Sequence, residues 1–494
     1  MPVLRSLGRL TVLSAALAFA GPATAQVELP SLGDRMSGVF SSQEEHRMGR
    51  EFLRSVRRSA PTINDPLISD YVVRFTYELA RHSELQDRDL AFAIIDSPAL
   101  NAFAAPGGVI GVNGGLFLNA ETEGEFASVM AHELAHVSQR HFARGVEDAQ
   151  RRRLPELATL LASIVVMAGT AGSDSNAGAA AVMAAQGRAI ENQLRFSRQN
   201  EQEADRVGLR TLYEAGYNPN DMPSLFERLQ SMSRFSTRPP EFLLSHPVTE
   251  SRIADTRSRA TRYARQDGKD SLDYHLIRAR IQVRYAEDSA SAVTEFRRRL
   301  QEAGEDGRRE ALRYGLAVAL AADEQYPEAL DIMEELLDDN RNRIAYVTTR
   351  AEMLINMGEP NQAIQFLERH LEINPANHPL VMTYADALID ARLYPQAARV
   401  LEKHTSRRPD DHHLWYTIAE IQGLAGDISK VHQARAEYFT LVGDFRSARE
   451  QLTYALRIET GRDSNEPLLA RLRQRMMEVE RMQREASNGG QPRR

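Results

Sequence analysis

The 494-residue chain has no cysteine. Disulfides, thiolate nucleophiles, Cys-ligated zinc and lipid attachment to Cys are excluded, so any metal must be held by His and carboxylates. A basic surplus is also missing. Asp and Glu number 68 against 61 Lys and Arg, a formal charge of −7. With no cationic excess to neutralise phosphates, a general nucleic-acid binder is excluded. No apolar run reaches the ~20 residues that a membrane-spanning helix needs. What remains is ordinary globular material, 42% hydrophobic and 26% charged. At about 150 residues per domain it makes two or three domains.

The first residues read as an address. Arg5 and Arg9 precede an apolar stretch from Leu10 to Ala20, Gly21-Pro22 breaks it, and Ala23-Thr24-Ala25 offers a small-x-small cleavage site. Residues 1–25 are therefore expected to be a signal peptide, and the mature chain to be periplasmic, soluble or peripheral to a membrane.

Residues 26–265 read as an α+β, helix-dominated domain with one small sheet. Helices are predicted over Glu44–Arg57 and Pro66–Arg81, with short strands over Leu90–Ile95 and Val109–Val112 on either side of a Pro106-Gly107-Gly108 turn. Thr122 and Glu125 have capping-box spacing at the start of a further helix. Asn101–Val112 is expected to offer an edge strand to an extended peptide. Residues 157–185, apolar and then rich in Ala and Gly behind Arg151-Arg152-Arg153, suit a lid or a membrane contact.

Residues 270–480 repeat. Ala317, Ala351, Ala385 and Ala419 are 34 residues apart, and so are Ala329, Ala363, Ala397 and Val431. This is the tetratricopeptide period, with small residues where paired helices approach closely, and it predicts an α-solenoid. The polar tail, 481–494, is expected to be disordered.

One motif carries chemistry. His132-Glu133-Leu134-Ala135-His136 is HExxH. On a helix the two imidazoles share a face one turn apart and can hold one zinc ion, with Glu133 placed as general base towards water. Zinc needs a further protein ligand. His141 is out of register with the motif, which favours a carboxylate from a later helix. Glu201-Gln202-Glu203-Ala204-Asp205 supplies candidates: Glu201 and Asp205 share a face, and the spacing alone does not separate Glu201 from Glu203.

Four segments occur in order: Asn101 to Gly108, the HExxH, Ser197-Arg198 with Glu201 and Ala204-Asp205, and Ser245-His246-Pro247 followed by Arg252-Ile253. In combination they resemble the HtpX- and CAAX-endopeptidase-like zinc metalloprotease family, in its periplasmic, tetratricopeptide-bearing branch. The resemblance implies a zincin-type fold, one zinc per chain held by His132, His136 and Glu201, Glu133 as base, and Asp205 as proton donor or supporting residue. It implies that His246 can take the open zinc position, as a fourth ligand or gate. The implied substrates are unfolded or misassembled outer-membrane proteins. The implied partners are the outer-membrane assembly machinery, met through the repeats. The rival expectation is a tetratricopeptide chaperone or scaffold whose zinc is mainly structural.

Overall fold

The computed structural model describes residues 41–151, 198–235, 240–264, 266–304, 307–462 and 466–488. The expected signal peptide, and the 157–185 segment read as a lid or membrane contact, lie outside these residues. Among the described residues no helix is long and apolar enough to cross a membrane.

Helix α1 (Ser42–Ser59) starts at a complete capping box between Ser41 and Glu44. Helix α2 (Pro66–Ala80) starts at Asp65, whose carboxylate accepts the Leu67 and Ile68 N–H groups, with Pro66 pre-set for the first turn. Three short strands follow: β1 (Ala91–Ile95), β2 (Ala102–Ala105) and β3 (Val109–Asn113). The sheet order is β1-β3-β2, with β1 parallel and β2 antiparallel to β3. This corrects the expectation for Asn101–Val112. Val109–Val112 is central, fully buried and paired on both sides, so only β2 presents a free edge there. Gly111 is obligatory, because a Cβ would meet the Phe103 ring at 2.1 Å.

Helix α3 (Gly115–Asn119) leads into α4 (Glu123–Ser138), which carries the HExxH and is buried on every face from Glu123 to His136. Only half of the predicted capping box forms. Thr122 Oγ1 accepts the Glu125 N–H, but the Glu125 carboxylate accepts the Glu121 N–H and pairs with Arg228. Helix α5 (His141–Arg151) follows a break at Gln139-Arg140. Helix α6 (Arg198–Glu214) lies along α4, and α7 (Asp221–Phe235), α8 (Glu241–Ser245) and α9 (Glu250–Ala260) complete this half. Gly208 lets α6 approach α4 closely, since a Cβ there would sit 3.1 Å from the His132 backbone nitrogen.

Twelve helices form the repeats: α10 (Leu272–Arg284), α11 (Ser289–Glu302), α12 (Gly307–Ala322), α13 (Tyr326–Asp339), α14 (Ile344–Asn356), α15 (Pro360–Ile373), α16 (His378–Asp390), α17 (Tyr394–Thr405), α18 (His412–Leu424), α19 (Ile428–Leu441), α20 (Phe445–Thr460) and α21 (Glu466–Asn488). The small residues of the repeat, from Ala317 to Ala397, are fully buried between paired helices. The turns repeat as well: Glu324, Gly358, Arg392 and Gly426 all have positive φ. Residues 481–488, expected to be disordered, are the last turns of α21.

The repeats share a core with the first half. Phe117 stacks on Phe126 at 4.6 Å and on Tyr274 of α10 at 5.9 Å. Burying each such ring contributes roughly 1.5–3 kcal/mol. Later repeats curl back onto α1 and α2. Arg408 pairs with Asp70 at 2.8 Å, His413 Nε2 lies 2.8 Å from Thr62 Oγ1, and Arg54 sits over the Phe445 ring. The protein's own helices therefore cover part of the repeat surface that the sequence offers to a partner.

Candidate metal centre

Helical spacing puts His132 and His136 on one face of α4, and their Nε2 atoms lie 3.0 Å apart. Glu201, in the first turns of α6, brings its carboxylate to 3.5 Å from His132 Nε2 and 3.4 Å from His136 Nε2. His246, the residue closing α8, brings Nδ1 to 3.3 Å from His132 Nε2 and 3.2 Å from Glu201 Oε1. One donor atom from each of the four lies within 4.8 Å of the others, and all four residues are buried. Three imidazole nitrogens and a carboxylate crowded at such distances fit a shared divalent cation of the zinc type. Without that charge they would crowd lone pairs in a dry interior.

Glu203, the carboxylate that the spacing left open, points elsewhere. It lies 3.3 Å from His141 Nε2 and 2.9 Å from Arg144 Nη1. His141 is buried, and its Nδ1 approaches His136 Nδ1 at 2.8 Å. It is a support for His136 and not a ligand. Periodicity missed it because the chain leaves the helix after Ser138, and the positive φ of Arg140 brings His141 back under His136.

Sequence reasoning also missed the role of Arg252. Its guanidinium donates to both Asp205 oxygens at 2.7 Å, meets Glu201 Oε2 at 2.8 Å and donates to Pro247 O at 2.9 Å. One buried cation thus joins a ligand carboxylate, Asp205 and the backbone beside His246. The only advance signal was its place in the Ser-His-Pro segment. Asp205 Oδ1 also lies 3.0 Å from His132 Nδ1. Both Asp205 oxygens are thus engaged, by Arg252 and by His132. Replacing Arg252 with Met should destabilise the metal-free fold by ~3–5 kcal/mol, because two carboxylates would stay buried without their partner. Urea unfolding of wild type and variant measures this; a loss under about 1 kcal/mol would mean that the cluster is solvated.

Burial works against the Asp205 charge, but Arg252 and His132 prevail and hold its carboxyl below the usual range. Burial likewise opposes ionisation of Glu201, yet His246 and the two motif histidines keep it well below that range. Burial lowers His132, but Asp205 and Glu201 raise it to about 9. His136, with less compensation, is pushed well down by burial. Glu133 is raised by burial, with His246 and His132 opposing. Both its oxygens are buried, the Ala104 backbone N–H donates to the carboxylate, and His246 Nε2 stands 3.5 Å from Oε1. A carboxylate kept dry beside a cation site is a costly arrangement that a purely structural role does not require.

Comparison with known proteins follows the same outline. Residues 66–260 match the model of peptidase family M48, and residues 354–421 match a tetratricopeptide repeat model. The chain is 35% identical to the putative beta-barrel assembly-enhancing protease of Vibrio cholerae, over 67% of this chain and 68% of that one. It is 34% identical to the beta-barrel assembly-enhancing protease of Escherichia coli strain K12, over 72% and 71%. The mitochondrial metalloendopeptidase OMA1 of Schizosaccharomyces pombe is 29% identical, over 46% of this chain and 64% of that protein.

Proposed function

This chain belongs to peptidase family M48 and is a metalloendopeptidase, and we propose that its metal is zinc and its substrates are misassembled outer-membrane proteins in the periplasm. The observation that carries the reading is the convergence of His132, His136, Glu201 and His246 beside the buried carboxylate of Glu133.

His132, His136 and Glu201 would hold the ion, with His246 in the remaining position. Bound there, zinc supplies Lewis acidity and brings the pKa of a water towards ~7. Glu133 takes the proton of the attacking water and passes it to the leaving amine. Asp205 and Arg252 fix His132 and Glu201 in orientation. Strand β2 packs on α4 and has no further strand on its outer edge among the described residues, which supports an extended substrate segment pairing along Ala102–Ala105. Such pairing reads backbone more than side chains, which suits unfolded or strand-forming chains. The repeats supply further surface for the outer-membrane assembly machinery and for chaperone-like holding of clients.

His246 acts as a gate in this reading. Its ring stacks on buried Phe242 at 4.9 Å, and the Phe242 N–H donates to Leu100 O, so α8 is tied to the start of β2. Substrate or a docked partner that moves α8 would withdraw the imidazole and admit water. His246→Ala should raise basal casein hydrolysis and self-cleavage about tenfold at matched zinc content, on the scale of ordinary coupling energies. A large drop would reassign His246 to stabilising the oxyanion.

A scaffold with a structural metal has one observation in its favour, the four protein donors. The buried Glu133, which stands beside the donor set without belonging to it, argues against it. Zinc analysis, together with degradation of an unfolded outer-membrane protein by wild type, separates the readings: the peptidase cleaves, and the scaffold binds zinc without cleaving.

A further inference from the structure

Away from the metal site, the repeats and the first half enclose another cavity of about 390 Å³, within the usual range for ligand pockets. Strand β1 forms one wall, and the turn from Arg407 to Leu414 forms another. Backbone groups of successive strand residues point to opposite edges. Ile95 O accepts the Gly114 N–H at 3.1 Å on the β3 side, whereas Ile94 O accepts the Ile63 N–H at 2.9 Å on the other. Phe92, in phase with Ile94, therefore turns its N–H and C=O away from β3, on the cavity side. That edge is closed at its far end, where Thr62 bridges Ile95 and the Asp96 N–H donates to Pro61 O. A strand added along β1 has to stop at residues 61–63.

Arg57 lies in the last turn of α1, just before this block, and lines the same cavity. Its Nε is buried and has no hydrogen-bond partner among the described residues. Burial draws its guanidinium down to about 10, against the pull of Asp411 and Asp410. The other buried or half-buried charges are already answered. Arg50 pairs with Asp89 and Arg408 with Asp70, each at 2.8 Å. Asp411 spends its carboxylate on the Leu414 N–H at the start of α18. His378 and His412 are pushed down to about 2 by burial and stay neutral. Among the half-buried charges of the described residues, Arg57 Nε stands without an acceptor, in a lining that mixes polar groups, the exposed Arg407 and Asp410 included, with apolar side chains such as Ile63, Val73, Met382 and Leu414.

We propose that this cavity docks the carboxyl-terminal end of an extended, apolar polypeptide, whose backbone pairs with Phe92 on the outer edge of β1 and whose terminal carboxylate pairs with Arg57. The closed end of the edge selects a chain terminus over a strand that runs through, and the half-buried Arg57 cation, its Nε without an acceptor, selects a terminal carboxylate. This site lies on the opposite edge of the sheet from β2. It tethers a client by its end while leaving the metal site free, and it does not depend on the metal chemistry.

The test uses the full-length chain carrying Glu133→Gln, so that no probe is cleaved. A fluorescein-labelled octapeptide of alternating Val and Thr, ending in Leu, is titrated as the free acid and as the carboxamide, with binding read by anisotropy. The amide should bind at least ~10-fold more weakly, the usual scale for losing a hydrogen bond to a charged group. Adding Arg57→Gln should weaken the free acid by the same factor and abolish discrimination between the two peptides. Equal affinity of acid and amide, or no binding of either at millimolar concentration, would overturn the proposal. So would an amidated peptide with an internal Glu that binds as tightly as the acid, since it would assign the site to side-chain carboxylates. The acid–amide comparison holds whether or not the Arg57 variant folds, and failure of the peptidase reading would leave this assay unchanged.

Discussion

Glu133→Gln lowers peptide hydrolysis by at least ~10²-fold while leaving zinc content and substrate binding unchanged, the lower end of general-base contributions. The substitution keeps shape and volume at a position with no solvent exposure. It removes only the ability to accept a proton. The Ala104 backbone N–H that donates to the Glu133 carboxylate can donate equally to the amide oxygen of Gln, so the substitution should not unfold the helix. Nor does Glu133 belong to the donor set that converges on the ion. The effect is therefore expected in kcat, with KM nearly constant. Single-turnover cleavage of a quenched fluorescent peptide, at matched zinc occupancy, separates the two constants. Wild-type kcat in the variant would remove Glu133 from the mechanism.

Glu201→Ala loses the metal, and Glu203→Ala retains it. Among the described residues, Glu201 is the only carboxylate within reach of both motif imidazoles. Its loss removes one of three protein ligands, and zinc affinity should fall by more than the ~10–100-fold typical of supporting residues. The variant also leaves Arg252 one carboxylate fewer, so its fold should loosen locally around α9. Glu203 touches His141 and Arg144, two contacts removed from the ion, and its alanine variant should change zinc affinity by about tenfold at most. Competition with a chromophoric chelator measures both. Comparable zinc affinity in the Glu201 variant and wild type would mean that another group supplies the carboxylate.

How far these residues could be read in advance follows from the range of the forces that place them. His132, Glu133 and His136 obey the helical period, which acts within one turn and is written in the sequence. The repeat alanines obey a period too, and even the positive-φ turns at Glu324, Gly358, Arg392 and Gly426 recur with it. Glu201 and Glu203 both lie near the start of one helix, and the choice between them depends on how α6 is rotated against α4. That rotation is set by long-range packing around Ala204 and Gly208, which no local pattern encodes. Strand order escaped for a related reason. The strands are short and apolar, so nothing in their alternation says that β3 lies between β1 and β2. His141 depended on one backbone break without Gly or Pro to announce it. Arg252 depended on three partners that lie 5, 47 and 51 residues away in the chain. The polar composition of 481–488 suggested disorder, but α21 buries Val479 against α20 and carries helix beyond it.

The most direct test is to incubate the zinc-loaded full-length protein, wild type and Glu133→Gln side by side, with an unfolded outer-membrane β-barrel protein, and to identify the products by mass spectrometry. One zinc per chain in both proteins, with internal cleavage by wild type only, is the predicted result. Cleavage that persists in Glu133→Gln, or in wild type stripped of zinc, would contradict it.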